Sequence, residues 1–106
     1  MTSEEIKRLD ASSFMPTYGR FGAVLSSGRN ATAKDCEGKE YIDFGSGIGV
    51  NSLGWCDEDW VKAVCAQAGA LQHTSNLYYS PAPASFAAEL CRVSGYAAVF
   101  LGNSGA

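Results

Sequence analysis

The stretch that most constrains this chain closes it. Ala97-Ala98-Val99-Phe100-Leu101 is a short apolar run with a β-branched and an aromatic residue, and it begins just after Gly95. Such a run predicts a buried strand. It leads into Gly102-Asn103-Ser104-Gly105-Ala106, a small-residue turn of the kind that joins a strand to a helix. A helix N-terminus carries unsatisfied N–H groups and positive partial charge, so it holds phosphate or another anion. Gly102 and Gly105 let backbone approach a ligand closely, and Ser104 adds a hydroxyl.

Locally, two other readings stand beside this one. Gly-Asn-Ser-Gly is ordinary turn composition. Gly102 to Ala106 also nearly matches Gly-x-Ser-x-Gly, the elbow that exposes a nucleophilic serine in hydrolases, with Ala106 in place of the final glycine. Composition narrows the field. A chain of 106 residues, 46% hydrophobic and 18% charged, is at most one small domain or part of a larger one, and is globular rather than disordered. A net charge of −3 without basic runs argues against nucleic acid or an anionic membrane as partner. No apolar stretch approaches the roughly 18 residues needed to cross a bilayer, and the acidic opening Met1 to Glu5 lacks a secretory pattern. The expected location is the cytoplasm, with thiols reduced. Cys36, Cys56, Cys65 and Cys91 form no Cys-x-x-Cys pair and His73 has no ligand-like neighbour, so no metal site is expected. Cys65 and Cys91 fall on apolar helical faces and read as small core residues.

Taken in order, residues 1–13 are polar and predict a frayed helix around Glu4 to Leu9 on a loosely held terminus. Phe14 to Phe21 is aromatic and, through Pro16, extended. Its Tyr18-Gly19-Arg20-Phe21 offers a ring face, a phenol and a fixed positive charge for a carboxylate, or else packs the entry segment onto a core. Asn30 to Asp35 and Glu40 to Phe44 predict a hairpin around Cys36-Glu37-Gly38-Lys39. The glycines from Gly45 to Gly54 miss the Gly-x-Gly-x-x-Gly spacing, which argues against a dinucleotide site and leaves a backbone able to pass close to a ligand or partner. A helix begins at Asp57, with Trp60, Val61, Val64, Cys65 and Ala68 marking a core face. Asn76-Leu77-Tyr78-Tyr79 is an aromatic loop. A second helix follows, with Ser80 as cap, Pro81 in its first turn and Gly95 closing it.

Five of these stretches resemble, in order and spacing, the opening of the acetylornithine aminotransferases, class III pyridoxal-phosphate-dependent enzymes. They are Tyr18 to Phe21, Gly38 to Phe44, Gly47 to Gly54, His73 to Tyr78 and Phe100 to Ala106. The resemblance covers residues 14 to 106. It implies an α/β fold of the fold-type I class, with residues 1–55 forming an N-terminal segment and hairpin of the small domain and 56–106 the start of the large cofactor domain. It implies that Ser104, Gly105 and Ala106 hold the phosphate of pyridoxal 5′-phosphate, and that Tyr18, Ile48 and Tyr79 face the substrate. It further implies a homodimer that moves the amino group of N-acetylornithine to 2-oxoglutarate, without nucleic acid, membrane or metal. The lysine that carries the cofactor as a Schiff base lies past Ala106 in the family, so no catalytic residue is expected here. This length alone is expected to be inactive, with exposed apolar faces. The family's His-Cys-His-Pro is replaced by Trp55-Cys56-Asp57-Glu58. The alternatives are another class III donor (ornithine, succinylornithine or 4-aminobutyrate), a serine hydrolase elbow fragment, or a non-catalytic interaction module.

Overall fold

The computed structural model describes residues 1–105. The chain divides into two units, Met1–Ala66 and a second that begins at Gln67. The first opens with α1 (Ser3–Ser13), longer and better anchored than its polar sequence suggests. A capping box accounts for this: Thr2 Oγ1 accepts the Glu5 N–H at 3.2 Å, and the Glu5 carboxylate accepts the Thr2 N–H at 2.8 Å. Two polar ties hold the helix to the rest of the unit. Glu37 accepts both the N–H and the hydroxyl of Ser3, at 3.1 and 2.6 Å, and Arg20 donates to Asp10 at 2.9 Å.

Next comes an antiparallel sheet in the order β1 (Leu25–Arg29), β2 (Thr32–Asp35), β3 (Glu40–Ile42). The expected β2–β3 hairpin forms, pairing Thr32 with Ile42 and Lys34 with Glu40. Gly38, at φ 86°, supplies the left-handed turn residue. β1 escapes sequence reading because Leu-Ser-Ser-Gly-Arg has no alternating apolar pattern; it is held by backbone pairing across the two-residue turn Asn30-Ala31, with Arg29 opposite Thr32. Asp35 organises the other turn. Its Oδ1 accepts the N–H groups of Glu37 and Lys39 at 3.0 and 2.8 Å, and its Oδ2 accepts the Tyr41 hydroxyl at 2.8 Å. Among the described residues, Ala33 and Asp35 are buried.

α3 (Glu58–Ala70) starts where the sequence places it, because Asp57 Oδ1 accepts the Trp60 N–H at 2.9 Å. Its expected core face is not buried, and Trp60, Val61, Val64, Cys65 and Ala68 are all exposed. Amphipathic spacing records which face is meant to be covered, not what covers it.

In the second unit, a 3-10 turn (Ser75–Leu77) precedes α4 (Pro81–Ser94). Gly95 ends α4 as expected, at φ 77° with its N–H on the Cys91 carbonyl. Ser80 sits at the N-cap with extended backbone, but its hydroxyl makes no capping bond. Cys91 is half-buried, not core. The strand expected at Ala97 to Leu101 does not form. A strand exists only through hydrogen bonds to a neighbour, and the second unit contains no other strand among the described residues.

Candidate functional site

The most constrained segment is the loop from Asp43 to Trp55, whose two feet stand on the β1–β2 turn. At one foot, the Asp43 N–H donates to the Ala31 carbonyl at 2.8 Å. At the other, Asn30 and Trp55 exchange N–H···O bonds, each 2.8 Å. Asn30 accommodates this at φ 52°, a conformation that asparagine tolerates. Trp55 packs so closely on Gly28 of β1 that a Cβ there would lie 2.7 Å from the indole Cγ.

Between the feet the backbone turns sharply. Ser46, Gly47, Ile48 and Gly49 all have positive φ, at 47°, 60°, 60° and 81°, within the short helical turn α2 (Ser46–Gly49). For β-branched Ile48 the left-handed region costs about 1–2 kcal/mol, so the surroundings must impose it. Asp43 Oδ1 does so at the start of the turn, accepting the Gly45 and Ser46 N–H groups at 2.8 and 2.9 Å. The Ile48 N–H returns to the Gly45 carbonyl at 2.8 Å, and the Asn51 N–H to the Ser46 carbonyl at 2.8 Å. The Ser46 N–H, then that of Gly45, hold the Asp43 carboxyl below its ordinary range against partial desolvation. The Trp55 indole N–H lowers it further without reaching hydrogen-bond geometry, and Trp55 Nε1 is buried without a partner. The loop thereby presents Ile48, which is 99% exposed. Backbone strain held in place by its surroundings is typical of functional sites.

Tyr18 lies elsewhere in the same unit, in a groove of about 550 Å³ lined with Ile6, Asp10, Phe14, Arg20 and Phe21. Ile48 does not line this groove. Arg20 is committed to Asp10 and lies 5.5 Å from the centre of the Phe14 ring, so within this unit its charge fixes the segment after α1.

In the second unit Tyr79 is fully exposed. Asn76 and His73 border a mixed pocket of about 480 Å³ with Gln67, Leu71, Thr74 and Pro83. Ser104 lies exposed in a bend with Asn103, Gly105 follows it exposed in irregular backbone, and Ala106 lies outside the described residues. A Cβ at Gly105 would meet nothing within 4 Å. The donors are backbone N–H groups and one hydroxyl on small residues, which fits a phosphate. Among the described residues no cluster of His, Cys, Asp or Glu could hold a metal ion, and no helix is long and apolar enough to cross a membrane.

Asp43, Asn30 and Trp55 are residues that sequence reasoning missed. One signal was available for Asp43: Asp followed two positions later by Gly-Ser marks a side chain that accepts nearby backbone N–H groups. Nothing local identified the Asn30–Trp55 pairing.

Residues 14–106 match the family described as Aminotransferase class-III. The acetylornithine aminotransferase of Haemophilus ducreyi is 52% identical over 106 residues, all of this chain and 27% of that protein. Among solved structures, the ornithine delta-aminotransferase of Plasmodium falciparum is similar with a TM-score of 0.94 and 25% identity, over 99% of this chain and 27% of that one. The acetylornithine aminotransferase of Elizabethkingia anophelis follows with a TM-score of 0.89 and 26% identity, over 92% of this chain and 26% of that one. The chain thus spans about a quarter of the length of these relatives. A mixed helix-and-strand chain with this backbone, matched to one family along nearly its whole length, belongs to the class III aminotransferases.

Proposed function

We propose that this chain supplies the N-terminal part of an enzyme that transfers the amino group of N-acetylornithine to 2-oxoglutarate. The observation that carries the reading is the 52% identity to an acetylornithine aminotransferase along all 106 residues. In this reading residues 1–55 belong to the small domain and 56–106 open the large one, and the enzyme is a cytoplasmic homodimer. Pyridoxal phosphate, when bound, supplies an electron sink for charge developing at the substrate Cα and a temporary home for the amino group.

The residues of this chain bind and orient. Ser104, Gly105 and Ala106 are the residues that would hold the phosphate, where a hydroxyl and backbone N–H groups on small residues would favour an anion. In this reading the loop carrying Ile48 lines the substrate pocket, Tyr18 offers an aromatic face at the substrate entrance, and Tyr79 is a further residue assigned to face substrate. The lysine for the chemistry comes from elsewhere in the protein. Lys34 pairs with Glu40 at 3.0 Å, Lys39 lies 4.9 Å from the centre of the Tyr41 ring, and Lys62 stands exposed on α3. None sits in the apolar, desolvated setting that makes a lysine nucleophilic at neutral pH.

A backbone likeness to ornithine delta-aminotransferase supports ornithine as a second donor. Glutamate formation by the cofactor-loaded enzyme, measured with N-acetylornithine, ornithine and 4-aminobutyrate in turn, separates them. The expected kcat/KM is highest for N-acetylornithine, by about tenfold or more. A preference for either of the other two overturns the assignment of the donor.

A further inference from the structure

We propose that Asp43 is the positioning residue for the substrate wall, its carboxylate setting the left-handed backbone at Ile48. The inference rests on Ile48 facing substrate. Three observations converge on Asp43. Its own N–H ties it to Ala31 at 2.8 Å, so the carboxylate starts from a fixed point on the sheet. One of its oxygens takes two consecutive backbone donors, Gly45 and Ser46, at 2.8 and 2.9 Å. Those bonds fix the plane of the peptides that lead into the four positive-φ residues. The other end of the loop is secured independently by the Asn30–Trp55 pair and the packing of Trp55 on Gly28. With both feet fixed and the turn closed by the Ile48–Gly45 and Asn51–Ser46 backbone bonds, Asp43 is the side chain that accepts two of the loop's amides. Charged acceptors make shorter and stronger bonds than neutral ones, so a carboxylate suits the task better than an amide. Asp43 therefore acts through the backbone that carries Ile48.

The test uses the cofactor-loaded enzyme and the variants Asp43→Ala, Asp43→Asn and Ile48→Ala. It reads amide hydrogen exchange at Gly45 and Ser46 together with KM and kcat for the amino donor. Asp43→Ala is expected to speed exchange at both amides by about tenfold or more and to raise KM by about tenfold, with kcat within about twofold of wild type. Asp43→Asn, whose side-chain oxygen can accept the same two bonds, is expected to restore most of both, leaving a rise of about two- to threefold. If Asp43→Ala does not fold, Asp43→Asn decides alone: a small rise in both readouts supports the proposal and wild-type values overturn it. Unchanged exchange in Asp43→Ala overturns it, as does faster exchange with an unchanged KM. Ile48→Ala shows which claim has failed. If that variant raises KM while the Asp43 variants do not, the positioning role is wrong; if it leaves KM unchanged, the placement of Ile48 against substrate is wrong.

Discussion

Asp35 is a buried carboxylate that remains acidic. Burial by itself would push its pKa up, but the Tyr41 hydroxyl and the N–H groups of Lys39 and Glu37 outweigh that and hold it below the ordinary value of 3.8. The same bond makes the Tyr41 phenol harder to ionise. A carboxyl with a lower pKa folded than unfolded adds stability that is complete above the unfolded value and is lost as pH falls through the folded one. The sheet is therefore expected to weaken below about pH 4. Asp35→Asn should lower stability at neutral pH and flatten the acid limb, as read from denaturation midpoints at pH 3, 5 and 7. Parallel pH profiles for the two proteins would refute this role. Neither this carboxylate nor Asp43 stands out in sequence from an ordinary turn aspartate, because what distinguishes each is the number of donors that folding brings to it.

At the scale of elements, the hairpin, both longer helices and their ends were legible, since each depends on residues a few positions apart. Asp57 stands at its cap, Gly38 and Gly95 take the left-handed angles their turns need, and Pro81 opens α4. β1 was not legible, because pairing rather than pattern makes it a strand. Its Gly28 gives a direct test of the Trp55 contact. An added Cβ would fall 2.7 and 2.9 Å from the indole Cγ and Cβ, atoms near the root of the side chain that cannot swing aside. Gly28→Ala is expected to cost about 1–3 kcal/mol, with the Asn30–Trp55 bonds weakened. Urea denaturation followed by Trp fluorescence measures both, and an unchanged midpoint and emission maximum would show that Trp55 does not rest on β1.

The whole molecule exposes surface that a self-sufficient domain would cover. Phe21, Phe44, Tyr79 and Phe100 are almost wholly exposed, and no residue of α1, α3 or α4 is buried. The relatives it matches are about four times as long. The 106-residue chain by itself is expected to associate as its concentration rises and to show no turnover of N-acetylornithine. Size-exclusion at several concentrations and a glutamate assay check the two outcomes. A monomer at every concentration argues against the first, and cofactor-dependent turnover at an ordinary enzymic rate against the second.

The amino-acid order alone determined where α3 and α4 start and where α4 stops, where the hairpin turns, and through its motifs which family the chain resembles. Caps, turn glycines and motif spacing act over a handful of residues, so they are written locally. Only the tertiary structure decided that residues 97–101 stay unpaired, that the faces of α3 and α4 lie open, and that Asn30 and Ala31 fasten both feet of the loop bearing Ile48. Those outcomes depend on which distant backbone is present to receive a hydrogen bond or cover a side chain, and no local pattern encodes that.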